Sequence, residues 1–238
     1  IMLCAETSPA ALAEGFESHV DDMLSIDTPD AVIFARLHPL VRLSTMHSEF
    51  RRRVDSAGKV GIGIDTDGVQ DVDANNCRVL FVGAESGPVT ALAEALQASE
   101  FNPELEPDHF KAGARVADET FDAAVIAVDD DEPLDKALFL CAHIRNNPRL
   151  FNLPVLIAAR NGSASADEAP YAQGASMVVP LSPDIAELST GLRFLVRRQR
   201  LRWNLHGPLT ATLQSGTADS LNGLYSEAFS KSHLAHLL

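Results

Sequence analysis

Four acids in a row, Asp129, Asp130, Asp131 and Glu132, follow an apolar run from Ala124 to Val128 and precede Pro133. An acid cluster at the C-terminal end of a buried strand is where many α/β proteins place a metal or a phosphoryl acceptor. A shared ion would need a second acidic group at a neighbouring turn. The turn after the apolar stretch 77–83 offers Glu85 alone. The four acids therefore read as a solvated loop that caps the next helix at Pro133, since acids favour helix N-termini.

Other patterns read in the same way. His233 and His236 have the i, i+3 spacing of metal ligands but no third ligand in view, so a helix surface is the better reading. "DVDANN" (71–76) starts like a calcium loop, but Asn76 stands where glycine is needed and Val82 where the glutamate is needed. "GKVGIGI" (58–64) lacks both glycine-rich nucleotide fingerprints. Arg193, Arg197, Arg198, Arg200 and Arg202 crowd one helix beside Trp203. Arginines suit the C-terminal end of an exposed helix. Arg193, Arg197, Arg200 and Trp203 are also the candidates for an interface, where arginine is enriched.

The elements that must position these residues follow from composition and periodicity. The chain has 238 residues and a net charge of −14, which argues against nucleic acid and against an anionic membrane surface as partners. No apolar run reaches the roughly 18 residues of a membrane span. Cys4, Cys77 and Cys141 are odd in number and far apart, as expected of reduced thiols in a cytoplasmic protein. The chain opens on Ile1 inside an apolar run and ends on "HLAHLL", the pattern of a segment from a longer protein.

"IMLCA" reads as a buried strand, "SPAALAEGFESH" as a helix capped by Ser8, and "VDDMLSI" as a second strand. A long helical pattern follows, with a kink expected at Pro39 and three arginines, Arg51 to Arg53, at its end. Residues 55–76 are rich in Gly and Asp and read as a linker. From Cys77, five strand patterns alternate with five helix patterns over about 125 residues, which predicts a doubly wound parallel sheet. The tail ends in a short helical pattern.

Taken in this order, the segments resemble a receiver domain of two-component signalling. "RVLFVGA" matches its first strand, "FDAAVIA" the phospho-acceptor strand, "LPVLIAAR" the strand of the switch hydroxyl, and "GASMVVPLS" the stretch that carries the lysine. "IMLCA…EGFESHVDDMLSI" repeats "VLIAA…QGASMVVPL", so the first 54 residues resemble the second half of another receiver. "DSLNGLYSEAFSKSHL" (219–234) resembles the opening of a GGDEF domain. The chain is thus similar to the PleD-like response regulators, built as receiver, receiver and GGDEF. The fold implied is α/β, a CheY-like, flavodoxin-like five-stranded parallel sheet plus a partial second receiver. The boundaries implied are 1–54 for the half receiver, 55–76 for the linker, 77–204 for the whole receiver, and 205–238 for a linker and the GGDEF start.

The resemblance also assigns site positions. The acidic pair falls on Gly83 and Ala84, the acceptor on Ala127, the hydroxyl on Ala159 and the lysine on Leu181. None of these side chains can hold Mg²⁺, take a phosphoryl group or neutralise one. In the half receiver the hydroxyl and lysine positions hold Cys4 and Ile26. The GGDEF opening departs at Asn222, Ser226 and Glu227. The function implied is a non-phosphorylatable receiver in cyclic di-GMP signalling, acting as adaptor or dimerisation domain, with no cofactor or metal of its own. Its partners would be a receiver–receiver homodimer or another protein, engaged through roughly 165–203 and 10–53, with cyclic di-GMP acting on the parent. Two other roles stay open. The chain could be the regulatory segment of a diguanylate cyclase whose catalytic loop lies beyond residue 238, or a phosphorelay regulator phosphorylated in the missing half receiver. The chain as given is not itself a cyclase.

Overall fold

Buried parallel strands read as continuous apolar runs, because helices cover both faces. Three such runs form the middle of the sheet in a computed structural model of the chain: β3 (Cys77–Val82), β5 (Ala123–Val128) and β6 (Val155–Ala159). The structure describes residues 1–235 except 6, 64–72, 130–133, 161–167, 183 and 215–223, with main chain alone over 209–214. Edge strands β4 (Phe101–Glu106) and β7 (Met177–Pro180) complete an all-parallel sheet ordered β4-β3-β5-β6-β7. In sequence order this is 2-1-3-4-5, the flavodoxin-like winding that reverses between β3 and β5.

Alternation along β5 divides the core. Ala124, Ile126 and Val128 face one side, with Val116 of α4 (His109–Asp118) and Leu140 and Ile144 of α5 (Leu134–Asn146). Ala123, Val125 and Ala127 face the other, with Leu92 and Leu96 of α3 (Gly87–Gln97) and Leu192 and Leu195 of α7 (Ala186–Gln214). A short helix, α6 (Glu168–Ala172), connects β6 to β7. The alternation of five strands with five helices is therefore as the sequence predicts.

The N-terminal segment repeats the second half of this pattern. β1 (Met2–Cys4) pairs in parallel with β2 (Met23–Ser25), and α1 (Pro9–Glu17) lies between them. Ser8 caps α1 by accepting from the Ala11 amide at 3.2 Å. The turn leaving α1 matches the turn leaving α6 bond for bond. His19 N donates to Phe16 O and Val20 N to Gly15 O, while Gly174 N donates to Tyr171 O and Ala175 N to Pro170 O. Both turns place a left-handed residue in the same slot, His19 at φ 59° and Gly174 at φ 100°. This is the paired 6→1 and 5→2 bonding that ends helices. Ile26 N to Cys4 O likewise repeats Leu181 N to Ala159 O. Equivalent residues stand 155 positions apart (174 − 19, 181 − 26), so the internal repeat is structural.

β1 departs from expectation. Met2 and Leu3 are 42% and 55% exposed, because among the described residues no strand pairs with β1 on its far side, whereas Met23 and Leu24 of β2 are buried. α2 (Asp30–Lys59) runs through Pro39 and five residues into the stretch read as linker. It stops at Gly61, φ 78°, where Gly61 N bonds Gly58 O and Ile62 N bonds Ala57 O. The "GKVGIGI" glycines therefore end a helix rather than cradle a nucleotide.

The chain forms two compact units. One comprises Ile1–His38 with Asp73–Gln199, and the other Pro39–Val72 with Arg200–Leu238. In the second, Leu43, Phe50 and Leu205 form a small core, and Phe229 of α8 (Glu227–Leu234) is fully buried. Ser226 caps α8 through the Phe229 amide at 3.4 Å.

At the N-terminal edge of the sheet, Arg78 and Arg115 both bridge Glu104 and Glu119 and stack on the Phe121 ring at 4.5 and 5.5 Å. Hydrogen bonds from Arg78 chiefly hold the Glu104 carboxyl below its ordinary value, and bonds from Arg115 do so for Glu119. A carboxyl that is more acidic in the folded chain stabilises above its unfolded value, and that contribution is lost as pH falls through the folded one. Urea midpoints should fall between about pH 5 and about pH 3, and a Glu104→Gln, Glu119→Gln variant should show a smaller fall.

Candidate functional site

The winding reversal places the functional edge at the C-terminal ends of β3, β5 and β6. Gly83 and Ala84 lie at the end of β3, Ala127 near the end of β5, Ala159 at the end of β6, and Leu181 just past β7. The structure thus brings these five residues to one edge. Ala127 and Ala159 are 0% and 5% exposed, and Leu181 packs against the core face of α3 and α7.

The edge is tightly packed around Gly83. A Cβ placed on Gly83 would meet Ala127 O at 3.0 Å, Val89 Cγ1 at 3.0 Å and Ala127 Cβ at 3.1 Å. Those separations are inside ordinary van der Waals contact, so a side chain there would press on the Ala127 carbonyl and on Val89, which would have to give by a few tenths of an ångström. Glycine is needed at 83 because β3 and β5 approach so closely.

One acid of the cluster occupies the edge. Asp129 accepts from Ser86 Oγ at 2.8 Å and from Arg160 Nε at 2.7 Å, and its side chain is 13% exposed. It is therefore a held, charge-paired residue rather than a solvated loop acid. Asp130, Asp131, Glu132 and Pro133 lie outside the described residues. Among the described residues no three His, Cys, Asp or Glu side chains come together as metal ligands.

The helix-borne arginines have separate partners. Arg193 pairs with Glu100 at 2.5 Å. Arg197 donates to the carbonyls of Phe16 and Val20 and stacks on Phe16 at 4.5 Å and Phe194 at 5.6 Å. Burial pulls the Arg197 guanidinium down, against the attraction of Asp21. Arg198 and Arg202 are buried, Arg200 is half-buried and Trp203 is 39% exposed. Arg197 thus joins the first segment to α7, and the helix is not simply an exposed one. His233 reaches Glu49 Oε1 and Ser56 Oγ, each at 3.4 Å, and His236 lies outside the described residues. In "DVDANN" Asp73 serves a turn, with Asn75 N donating to Asp73 Oδ1 at 2.8 Å, while Asp71 lies outside the described residues and Val82 is strand core.

Two buried networks had no motif to announce them. Arg36 makes a two-pronged contact with Asp22 and also engages Tyr171. It lies where the first segment meets the whole receiver, beside Val32, Tyr171 and Val178. On the same contact, Leu12, Met23 and Phe194 form a cluster. The stretches expected to engage a partner, 10–53 and 165–203, therefore meet each other within this unit through residues 12–36 and 171–197. The second network belongs to Arg145, whose four bonds fall on Gly174 O, Leu153 O, Phe151 O and Ser176 Oγ.

A five-stranded parallel sheet wound 2-1-3-4-5 under two helical layers is the flavodoxin-like fold that the receiver domains of response regulators share. More particularly, the chain is PleD-like. It is 25% identical over 229 residues to the response regulator PleD of Caulobacter vibrioides, covering 94% of this chain and 48% of that protein. The chain thus spans about half the length of the curated relatives it matches. No family profile matches it. Similar solved structures include TrrA from Thermotoga maritima, in complex with Mg²⁺ and BeF, at 18% identity and TM-score 0.42, covering 50% of this chain and 98% of that one. A receiver domain of an HD-domain protein from Pseudomonas fluorescens has 15% identity and TM-score 0.46, covering 57% and 97%. CheY4 of Vibrio cholerae has 20% identity and TM-score 0.40, covering 48% and 96%. No helix among the described residues is long and apolar enough to cross a membrane.

Proposed function

We propose that this chain is a pseudo-receiver module of a response regulator in cyclic di-GMP signalling. It takes no phosphoryl group and works by contact, as an adaptor and dimerisation domain. The observation that carries the reading is the close approach of Gly83 to Ala127, 3.0 Å from an added Cβ to the Ala127 carbonyl. Phosphoryl transfer needs an acceptor carboxylate, a metal held by hard oxygens and a cation for the developing charge. The acceptor and acidic-pair positions offer a methyl group and bare backbone, and the local cation, Arg160, is already paired with Asp129.

The direct test is incubation with labelled acetyl phosphate and Mg²⁺. The expected result is no stable label on the receiver and no change on adding beryllofluoride. Stoichiometric, acid-stable and base-labile label would overturn the reading. The dimer part is tested separately by light scattering over a concentration series of the full-length parent, where a dimer is expected.

A second role, regulation of a catalytic GGDEF domain beyond residue 238, is favoured by the tail. Within the GGDEF-like stretch Tyr225 lies tilted against Phe229 at 4.8 Å, and Phe229 stacks on His233 at 5.6 Å. Diguanylate cyclase activity of the parent chain, gained or lost on deleting residues 77–204, distinguishes this role from a bare scaffold.

A further inference from the structure

A cavity of about 220 Å³ opens where the first segment meets the whole receiver. At about 30 Å³ per water it has room for several waters or a ligand of a few heavy atoms. Leu12, Met23 and Met177 supply its apolar floor, and Thr7, Ser25 and Thr28 bring hydroxyls to it. Arg36, Tyr171 and Glu187 also line it.

The charges do not balance. Arg36 is committed to Asp22, a carboxylate with 3% side-chain exposure, through two hydrogen bonds. Tyr171 is neutral, since burial raises its hydroxyl. Glu187 is half-buried and has no hydrogen bond or ion pair with any described residue. Two carboxylates thus face one guanidinium, leaving the cavity one negative charge in surroundings that strengthen electrostatic attraction. Burial also pushes the Glu187 carboxyl up, with Arg36 pulling it back, as expected of a carboxylate short of a cation.

We propose that this cavity binds a small organic ammonium ion, its charged head against Glu187 and its short apolar body against Leu12, Met23 and Met177. The hydroxyls of Thr7, Ser25 and Thr28 are acceptors for the N–H groups that Glu187 leaves over. An ammonium is favoured over a metal ion because the floor is apolar and a single carboxylate is unpaired. It is favoured over an anion because the guanidinium is already neutralised by Asp22. Since the lining comes from both the first segment and the receiver, occupancy ties the two together. The inference does not rest on the absence of phosphorylation, and it holds or fails independently of that reading.

The test uses n-butylammonium, with n-butanol and butyrate as probes of the same length, on the wild-type chain and on Glu187→Gln. Titration calorimetry and thermal unfolding are the readouts. The amine is expected to bind with about millimolar affinity, as suits so small a ligand, and to raise the unfolding midpoint. Butanol and butyrate should bind at least tenfold more weakly, a comparison that needs no variant to fold. Glu187→Gln should lose at least tenfold in amine affinity while keeping its own unfolding midpoint. No amine binding up to about 50 mM, equal affinity for butyrate, or unchanged affinity in Glu187→Gln would each overturn the proposal.

Discussion

Arg145→Ala is expected to destabilise the receiver by about 3 kcal/mol, from several charge-assisted bonds that are only partly additive. Arg145 Nε donates to Gly174 O at 2.8 Å, Nη1 to Leu153 O at 2.6 Å and Phe151 O at 3.0 Å, and Nη2 to Ser176 Oγ at 3.1 Å. One side chain thus joins α5, the turn before β6 and the turn before β7. Gly174 is left-handed, and a Cβ there would run into the Arg145 stem, so the turn and the arginine are fitted to each other. Among the described residues no carboxylate neutralises the guanidinium. Burial accordingly pulls it down to about 10, and the carbonyl dipoles offset the loss of water only in part. The penalty in the variant comes from orphaned acceptors rather than from lost charge. Arg145→Lys keeps the charge but cannot reach three elements with one ammonium, so it should lose nearly as much. The thermal midpoint should fall by roughly 6–12 °C for a chain of this size. A Lys variant as stable as wild type would show that charge, not the fork of donors, matters.

Ala127→Asp should fail twice. The side chain is 0% exposed and sits on the face packed by Val89, Leu92 and Leu192. A carboxyl placed there meets apolar atoms and the Gly83 backbone, while Arg160 is engaged by Asp129. Burying an uncompensated acid costs about 3–5 kcal/mol, or the group stays protonated and cannot attack a phosphoryl donor. The urea midpoint should drop sharply and no acetyl-phosphate label should appear. Replacing the remaining positions as well meets the same obstacle at Gly83. A stable, labelled Ala127→Asp protein would mean that the edge opens and that the proposed inability to take a phosphoryl group rests on one missing carboxylate.

Much of the fold was legible because it depends on local pattern. "AAVIAV" and "VLIAA" are apolar throughout, so they had to be inner strands of a covered sheet. The repeat of "IMLCA" on "VLIAA" was visible too, and the two matching turns show what it encodes. β1 was misread as buried because burial of a strand depends on a neighbour, and sequence shows only the strand itself. Of the acids after Val128, Asp129 alone departs from the solvated-loop reading, for a similar reason. Asp129 differs from a solvated acid only through Ser86 and Arg160, which stand 43 and 31 positions away.

The sequence by itself determined the order of strands and helices, the receiver winding, the repeat, and the absence of reactive atoms at Gly83, Ala84, Ala127, Ala159 and Leu181. These follow from side-chain chemistry and short-range periodicity. The tertiary structure alone decided that the edge is closed and that Asp129 is paired. It also decided that Arg145 holds the carbonyls of two turns and that Glu187 shares a cavity with an Arg36 already bound to Asp22. Each of those depends on distances between segments far apart in the chain. A charge or a donor has no meaning for stability or binding until the groups around it, and the water removed from it, are known.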